Sequence, residues 1–131
     1  MTEALITRYL ALLADPTATA DALGALLHPE MRQREWPNAL NPRGQESDRA
    51  DCLRRFAAGQ AMLRVQHYTL TSTLVDGDRA VVEAEWLGTM AVDAGPLRAG
   101  QTLTAAICMA FELRDGLIWR QRNYDCFSPW A

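Results

Sequence analysis

The chain contains no lysine: all thirteen of its basic residues are arginine. That removes a Schiff-base lysine, a phosphate-loop lysine and a Ser–Lys dyad from consideration. Cysteine is sparse and odd in number, with Cys52, Cys108 and Cys126 scattered along the chain. Such spacing suits reduced thiols rather than a disulfide framework, and with it a cytoplasmic location. No long apolar run is present. The longest, "LTAAICMAFEL", is too short to cross a bilayer and reads as a buried strand, so no membrane partner is expected. Glu3 and Arg8 interrupt the apolar pattern of the N-terminus, which spoils it as a signal peptide. Basic charge is not gathered into a stripe and the net charge is −3, so nucleic acid is not an expected partner either. GxSxG, GxGxxG and CxxC motifs are lacking, which leaves a serine hydrolase, a dinucleotide enzyme and a dithiol oxidoreductase without support. His28 and His67 lie far apart without Cys or carboxylate neighbours at ligand spacing, so there is no zinc signature.

What is present reads as one domain over residues 1–131. Apolar residues Leu5, Ile6, Tyr9, Leu10, Leu12 and Leu13 recur at helical spacing from about Thr2 to Ala14. A second helix is predicted over about 19–27, ended by "HPE", and "MRQREWP" suggests a short strand. "NALNPRGQ" has loop composition, and Ser47 is predicted to cap a third helix that buries Leu53, Phe56, Ala57 and Met62. From Val65 the period changes to two. Four strands are expected, at about 65–75, 80–92, 101–113 and 117–125, with "DGD" and "RDG" as hairpin turns. The fold class is therefore α+β: three N-terminal helices packed on a curved antiparallel sheet, which would enclose a conical pocket.

The last strand, "GLIWRQRNYDCFSPW", has no plainly greasy face. Trp119, Gln121, Asn123 and Asp125 alternate with Ile118, Arg120, Arg122 and Tyr124. A row of two amides and a carboxylate suggests the polar lining of a cavity, with the other set forming the outer sheet surface. Asp125, desolvated there, would have a raised pKa suited to general acid/base work; the plainer reading is a carboxylate bonded to a backbone amide or an arginine. Trp36 and Trp86 are both predicted inward, where they would either stack on a flat ligand or simply fill core. Glu35 and Asn38 flank the Trp36–Pro37 pair and would reach the cavity mouth if proline disturbs the alternation there; the plainer reading makes Glu35 a solvated strand residue.

The element order, with "RYLALLADPTATADALGALLHPEM" and the terminal "DGLIWRQRNYD", resembles the nuclear transport factor 2-like superfamily, which includes the ketosteroid isomerases and the SnoaL-like polyketide cyclases. The resemblance implies a cone-shaped fold, an apolar pocket and often a homodimer through the outer sheet face. It also implies roles. The isomerases work with an Asp base, and with a Tyr and a protonated Asp as oxyanion donors. "RYLALL" puts Tyr9 at the position of the family's pocket tyrosine. "REWP" puts Trp36 at the position of its base, with Glu35 beside it, and Met109 stands where the isomerase has its protonated Asp. Gln121, Asn123 and Asp125 match pocket-facing positions of the last strand, where the cyclase-like branch carries its acid/base. The resemblance thus implies proton transfer by Asp125 and Tyr9 on a small, largely apolar molecule, with Trp36, Trp86, Met109, Gln121, Asn123 and Glu35 as substrate contacts and no metal or organic cofactor. Two alternatives stand beside it: a non-catalytic carrier or sensor, and a protein-interaction module using the outer sheet.

Overall fold

A computed structural model describes residues 1–130 of the chain. Helix α1 (Thr2–Ala14) buries Ile6, Tyr9, Leu10 and Leu12, the stripe its periodicity demands. Its N-terminus is tied to a distant hairpin by Thr2 Oγ1, which donates to the Gly77 carbonyl at 2.8 Å. Helix α2 (Ala20–Gly24) is shorter than its sequence suggests and is capped by Thr19. The "HPE" segment does not end it. Strand β1 (Leu27–Glu35) already contains these residues, and a register irregularity between Leu27 and Arg32 accommodates Pro29, which has no N–H to give the ladder.

A short strand β2 (Gln45–Asp48) follows and pairs antiparallel with β1. It takes Ser47 away from the predicted capping role and buries it. Helix α3 (Arg49–Met62) is capped instead by Asp48, whose carboxylate accepts from the Asp51 N–H while the Asp51 side chain accepts from the Asp48 N–H. On α3 only Phe56 is fully buried; Ala57 and Met62 are exposed. The face formed by Cys52, Arg55, Phe56 and Gly59, at i, i+3, i+4 and i+7, looks into the interior.

The meander matches its period-two pattern closely: β3 (Leu63–Asp76), β4 (Arg79–Met90), β5 (Thr102–Arg114) and β6 (Leu117–Phe127). Along β4, Ala80, Val82, Ala84 and Trp86 are buried and the residues between them, Glu83 and Glu85 included, are exposed. The six strands run β2-β1-β6-β5-β4-β3, and β1 lies parallel to β6. The helices cover one face of the sheet, so the chain has the cone-shaped NTF2-like α+β architecture.

Two irregularities re-aim side chains. Between Glu112 and Leu113 the β5–β6 register shifts, so that Leu113 faces Ile118 and Glu112 faces Arg120. Trp119 is the extra residue of this bulge. Ile118, predicted on the outer surface, is consequently in the core with no exposed area. Trp119, predicted to face the cavity, lies instead between the guanidinium groups of Arg114 and Arg120, 3.8 and 3.9 Å from the ring centroid. A second shift, between Leu63 and Val65, lets Leu63, Gln66 and Tyr68 all turn inward.

Candidate active site

Two adjoining chambers occupy the space between helices and sheet. The inner one, about 230 Å³, is lined by Tyr9 from α1, Met31, Gln33 and Glu35 from β1, the inner face of α3, Gln66 and Tyr68 from β3, and Asn123. The outer one, about 680 Å³, is more apolar, with Trp86, Met90, Leu97, Leu103, Ile107, Phe127 and Trp130 in its wall beside Asp125. Glu35, Arg55, Gln66, Tyr68 and Asn123 border both.

Parallel pairing of β1 with β6 sets Gln33 beside Gln121 and Glu35 beside Asn123. Neighbours in register point to the same face, so two rows of polar side chains converge on the cavity. At their base Gln121, 1% exposed, donates from Nε2 to the Tyr9 hydroxyl oxygen at 3.1 Å and to Asn123 Oδ1 at 2.9 Å. Its Oε1 has no partner among the described residues. Tyr9 accepts this bond, which leaves its own proton available to a ligand. Burial raises the Tyr9 pKa to about 12, opposed by the Gln121 bond. The phenol is therefore a hydrogen-bond donor throughout the physiological range.

Asp125 carries the other distinctive feature. Its Oδ1 is buried and unbonded among the described residues. Its carboxyl pKa is raised to about 6, chiefly by burial and further by the Glu35 charge, with Arg55 opposing both. Glu35 itself is engaged. Arg55 Nη2 donates to Glu35 Oε1, and Asn38 Nδ2 donates to Oε2 at 2.9 Å. Arg55 Nη1 reaches Gln33 Oε1 at 3.4 Å and Ser47 Oγ at 3.3 Å. Cys52 stands beside this cluster, its Sγ 3.7 Å from Gln33 Oε1; burial pushes its pKa to about 11, so it is no nucleophile. Trp86 is fixed by its indole N–H, which donates to Gln66 Oε1 at 2.9 Å, while Gln66 Nε2 donates to the Leu13 carbonyl.

Of the residues singled out from sequence, Tyr9, Glu35, Trp86, Asn123 and Asp125 border the chambers. Gln121 and Met109 do not; both lie beneath the lining, buried to 1% and 2% exposure. Trp36 is not a wall residue. It is 39% exposed and stacks on Tyr124 outside the sheet, with Arg34 over its ring. The cause is simple alternation: Met31, Gln33 and Glu35 face in, so Trp36 faces out. The position beside the chamber that the "REWP" resemblance gave to Trp36 therefore falls to Glu35. Gln33, Arg55, Gln66 and Tyr68 were not singled out. The alternation of "MRQRE" signals Gln33, and the i+3, i+4 pattern from Cys52 signals Arg55. Gln66 and Tyr68 are masked by the Leu63–Val65 register shift.

The SnoaL-like domain family model matches residues 6–121, and the chain belongs to that family. Its fold is shared with several solved structures. A putative polyketide cyclase from Streptomyces antibioticus, IdmH, aligns with a TM-score of 0.78 at 18% identity, over 95% of this chain and 91% of that one. AclR, a putative hydroxylase from Streptomyces galilaeus, gives 0.77 at 13% identity, over 95% and 74%. A hypothetical protein with a ketosteroid isomerase-like fold from Catenulispora acidiphila, in complex with trimethylamine, gives 0.73 at 20% identity, over 95% and 86%. No curated protein matches the sequence significantly. Among the described residues no helix is long and apolar enough to cross a membrane, and no cluster of three or more His, Cys, Asp or Glu could hold a metal.

Proposed function

We propose that the protein is a cofactor-independent enzyme of isomerase or cyclase type, which moves a proton on a small, largely apolar molecule bearing an oxygen. One observation carries this reading: Asp125 presents a desolvated carboxyl with a pKa near 6 and an unsatisfied buried oxygen on the wall of an apolar chamber. A carboxylate in that state accepts a proton readily near neutral pH and returns it. In the proposed step, Asp125 takes the proton from a carbon next to a carbonyl. The C–H electron pair shifts toward the carbonyl oxygen, which the Tyr9 hydroxyl stabilises as it gains charge. Asp125 then returns the proton to a different carbon; in a ring closure the carbanion adds instead to a second carbonyl carbon of the same molecule, whose C=O π bond opens to an alkoxide that takes the proton from Asp125. Asn123 orients the ligand, Gln121 positions Tyr9, and Trp86 supplies apolar wall. The neighbour described as a putative polyketide cyclase supports chemistry of this class.

A second reading, a carrier or sensor, is favoured by the Glu35–Arg55 ion pair, which leaves Asp125 as the one uncompensated carboxylate at the chambers among the described residues. Solvent-deuterium exchange into small cyclic ketones and enones, followed by NMR, separates the two. An enzyme accelerates exchange next to the carbonyl, and Asp125→Asn lowers the rate by roughly a hundredfold or more while binding, followed by tryptophan quenching, survives. A carrier leaves exchange at the background rate in both proteins. We further propose a homodimer across the outer sheet face, where Val81, Leu87 and Tyr124 are exposed.

A further inference from the structure

Tyr68 has no role in the proton transfer assigned to Asp125 and Tyr9, yet it borders both chambers. It pairs with Trp86 across the β3–β4 ladder, and the register shift after Leu63 turns it inward. Its hydroxyl has no hydrogen-bond partner among the described residues, in contrast to Tyr9, which Gln121 holds. The side chain is half-buried and lines the cavity. Burial raises its pKa, and its proximity to Tyr9 and to the Asp125 carboxylate raises it further, so it stays protonated. The inner chamber thus receives two phenolic donors from opposite elements, α1 and β3. No lysine ammonium can compete, because the chain has no lysine, and the one guanidinium lining that chamber, Arg55, is engaged by Glu35.

We infer that Tyr68 is a second hydrogen-bond donor to the ligand oxygen held by Tyr9, and that the inner chamber selects ligands whose oxygen carries or develops negative charge. Such ligands are enolisable ketones, enones and phenols. A cavity of roughly 150 Å³ accommodates a benzene ring, so 230 Å³ suits one ring with its oxygen substituent. The rest of the molecule would extend past Asn123 into the apolar outer chamber. This inference rests on the proposed reading of the chambers as the ligand site and deepens it by naming the class of ligand.

The test uses 4-nitrophenolate, with 4-nitrotoluene as a neutral analogue of the same shape, in the whole protein. Binding is measured at a pH where the phenol is ionised, in an Asp125→Asn background so that Asp125 exchanges no proton with the ligand. Tyr68→Phe keeps the ring and removes only the hydroxyl. It should weaken 4-nitrophenolate roughly tenfold or more, the range for a hydrogen bond to a charged partner, and leave 4-nitrotoluene within about twofold by the same reasoning. Tyr9→Phe should show the same selective loss. Equal weakening of both compounds would make Tyr68 a packing residue and overturn the inference, as would no change with either, or failure of the wild-type protein to prefer the phenolate. Because Asp125 is absent from both Tyr variants, their outcomes are independent of whether it moves a proton.

Discussion

Asp125 links ligand chemistry to stability through one number. Its folded pKa, about 6, lies above the ordinary 3.8. Below the unfolded value the carboxyl is protonated in both states, and its contribution to stability is fully present. As pH rises through about 6 the folded protein must ionise a desolvated group, and that contribution is lost. Complete enclosure would make the gap worth about 3 kcal/mol; partial exposure reduces it to roughly 1–2 kcal/mol. Asp125→Asn is therefore expected to be more stable than the wild type at pH 8 by about 1 kcal/mol, and equal to it near pH 3.5, in paired urea titrations. Glu35 and Arg55 act on the same carboxyl with opposite sign. Glu35→Gln should lower the Asp125 pKa and Arg55→Met should raise it. Arg55→Met also strands a Glu35 carboxylate whose side chain is only 12% exposed. That should cost roughly 2 kcal/mol, less than the cost of breaking a fully enclosed pair, because the Arg55 head reaches solvent.

Single strands and turns decide what these residues can see. Gly88 leaves room for the Trp86 ring, since a Cβ there would sit 2.5 Å from the indole. The ring cannot swing freely, because Gln66 holds its N–H. Gly88→Ala should therefore push the indole toward the outer chamber, costing about 1–3 kcal/mol of overpacking and red-shifting tryptophan emission; unchanged emission and stability would show the ring is loose. At this scale the sequence is legible in part. The alternation from Ala80 to Trp86, with "DGD" and "RDG" turns, makes the meander readable from the chain alone. Trp119 defeats the same logic: one inserted residue moves Ile118 into the core, and alternation contains no sign of a bulge. β2 is four residues of "QESD", polar and without a strand pattern, and exists only because β1 supplies its hydrogen bonds. Trp36 differs again. Alternation from Met31 puts it outside, whereas the likeness of "REWP" to a family motif, one residue out of step, points it inward.

The whole molecule is a cone whose polar rows meet only because β1 inserts parallel to β6. That pairing joins residues about ninety positions apart, so no window of sequence contains the site. The order of elements, three helices followed by the long strands, is enough to indicate the fold; the depth of each side chain is not written in it. Gln121 shows the difference, being correctly turned inward yet sunk beneath the lining to hold Tyr9. Outside the cone, the stacked Trp36 and Tyr124 rings and the exposed Val81 and Leu87 suit the proposed homodimer. Sedimentation should then give twice the 14.6 kDa chain mass, and Tyr124→Arg should shift it toward the monomer. A monomer in the wild type would discard that proposal and leave the chambers as they are.

All of the proposed chemistry follows from one carboxyl group partly withdrawn from water, without a protein partner for its buried oxygen. Its ionisation can be followed directly, through the side-chain carboxyl carbon of Asp125 in a labelled sample titrated from acid to neutral pH. A midpoint near 6 that falls when Glu35 is changed to Gln agrees with Asp125 as the proton carrier. A midpoint at or below the ordinary 3.8, unmoved by that change, would mean that Asp125 is a solvated surface acid and that the chambers have no proton acceptor.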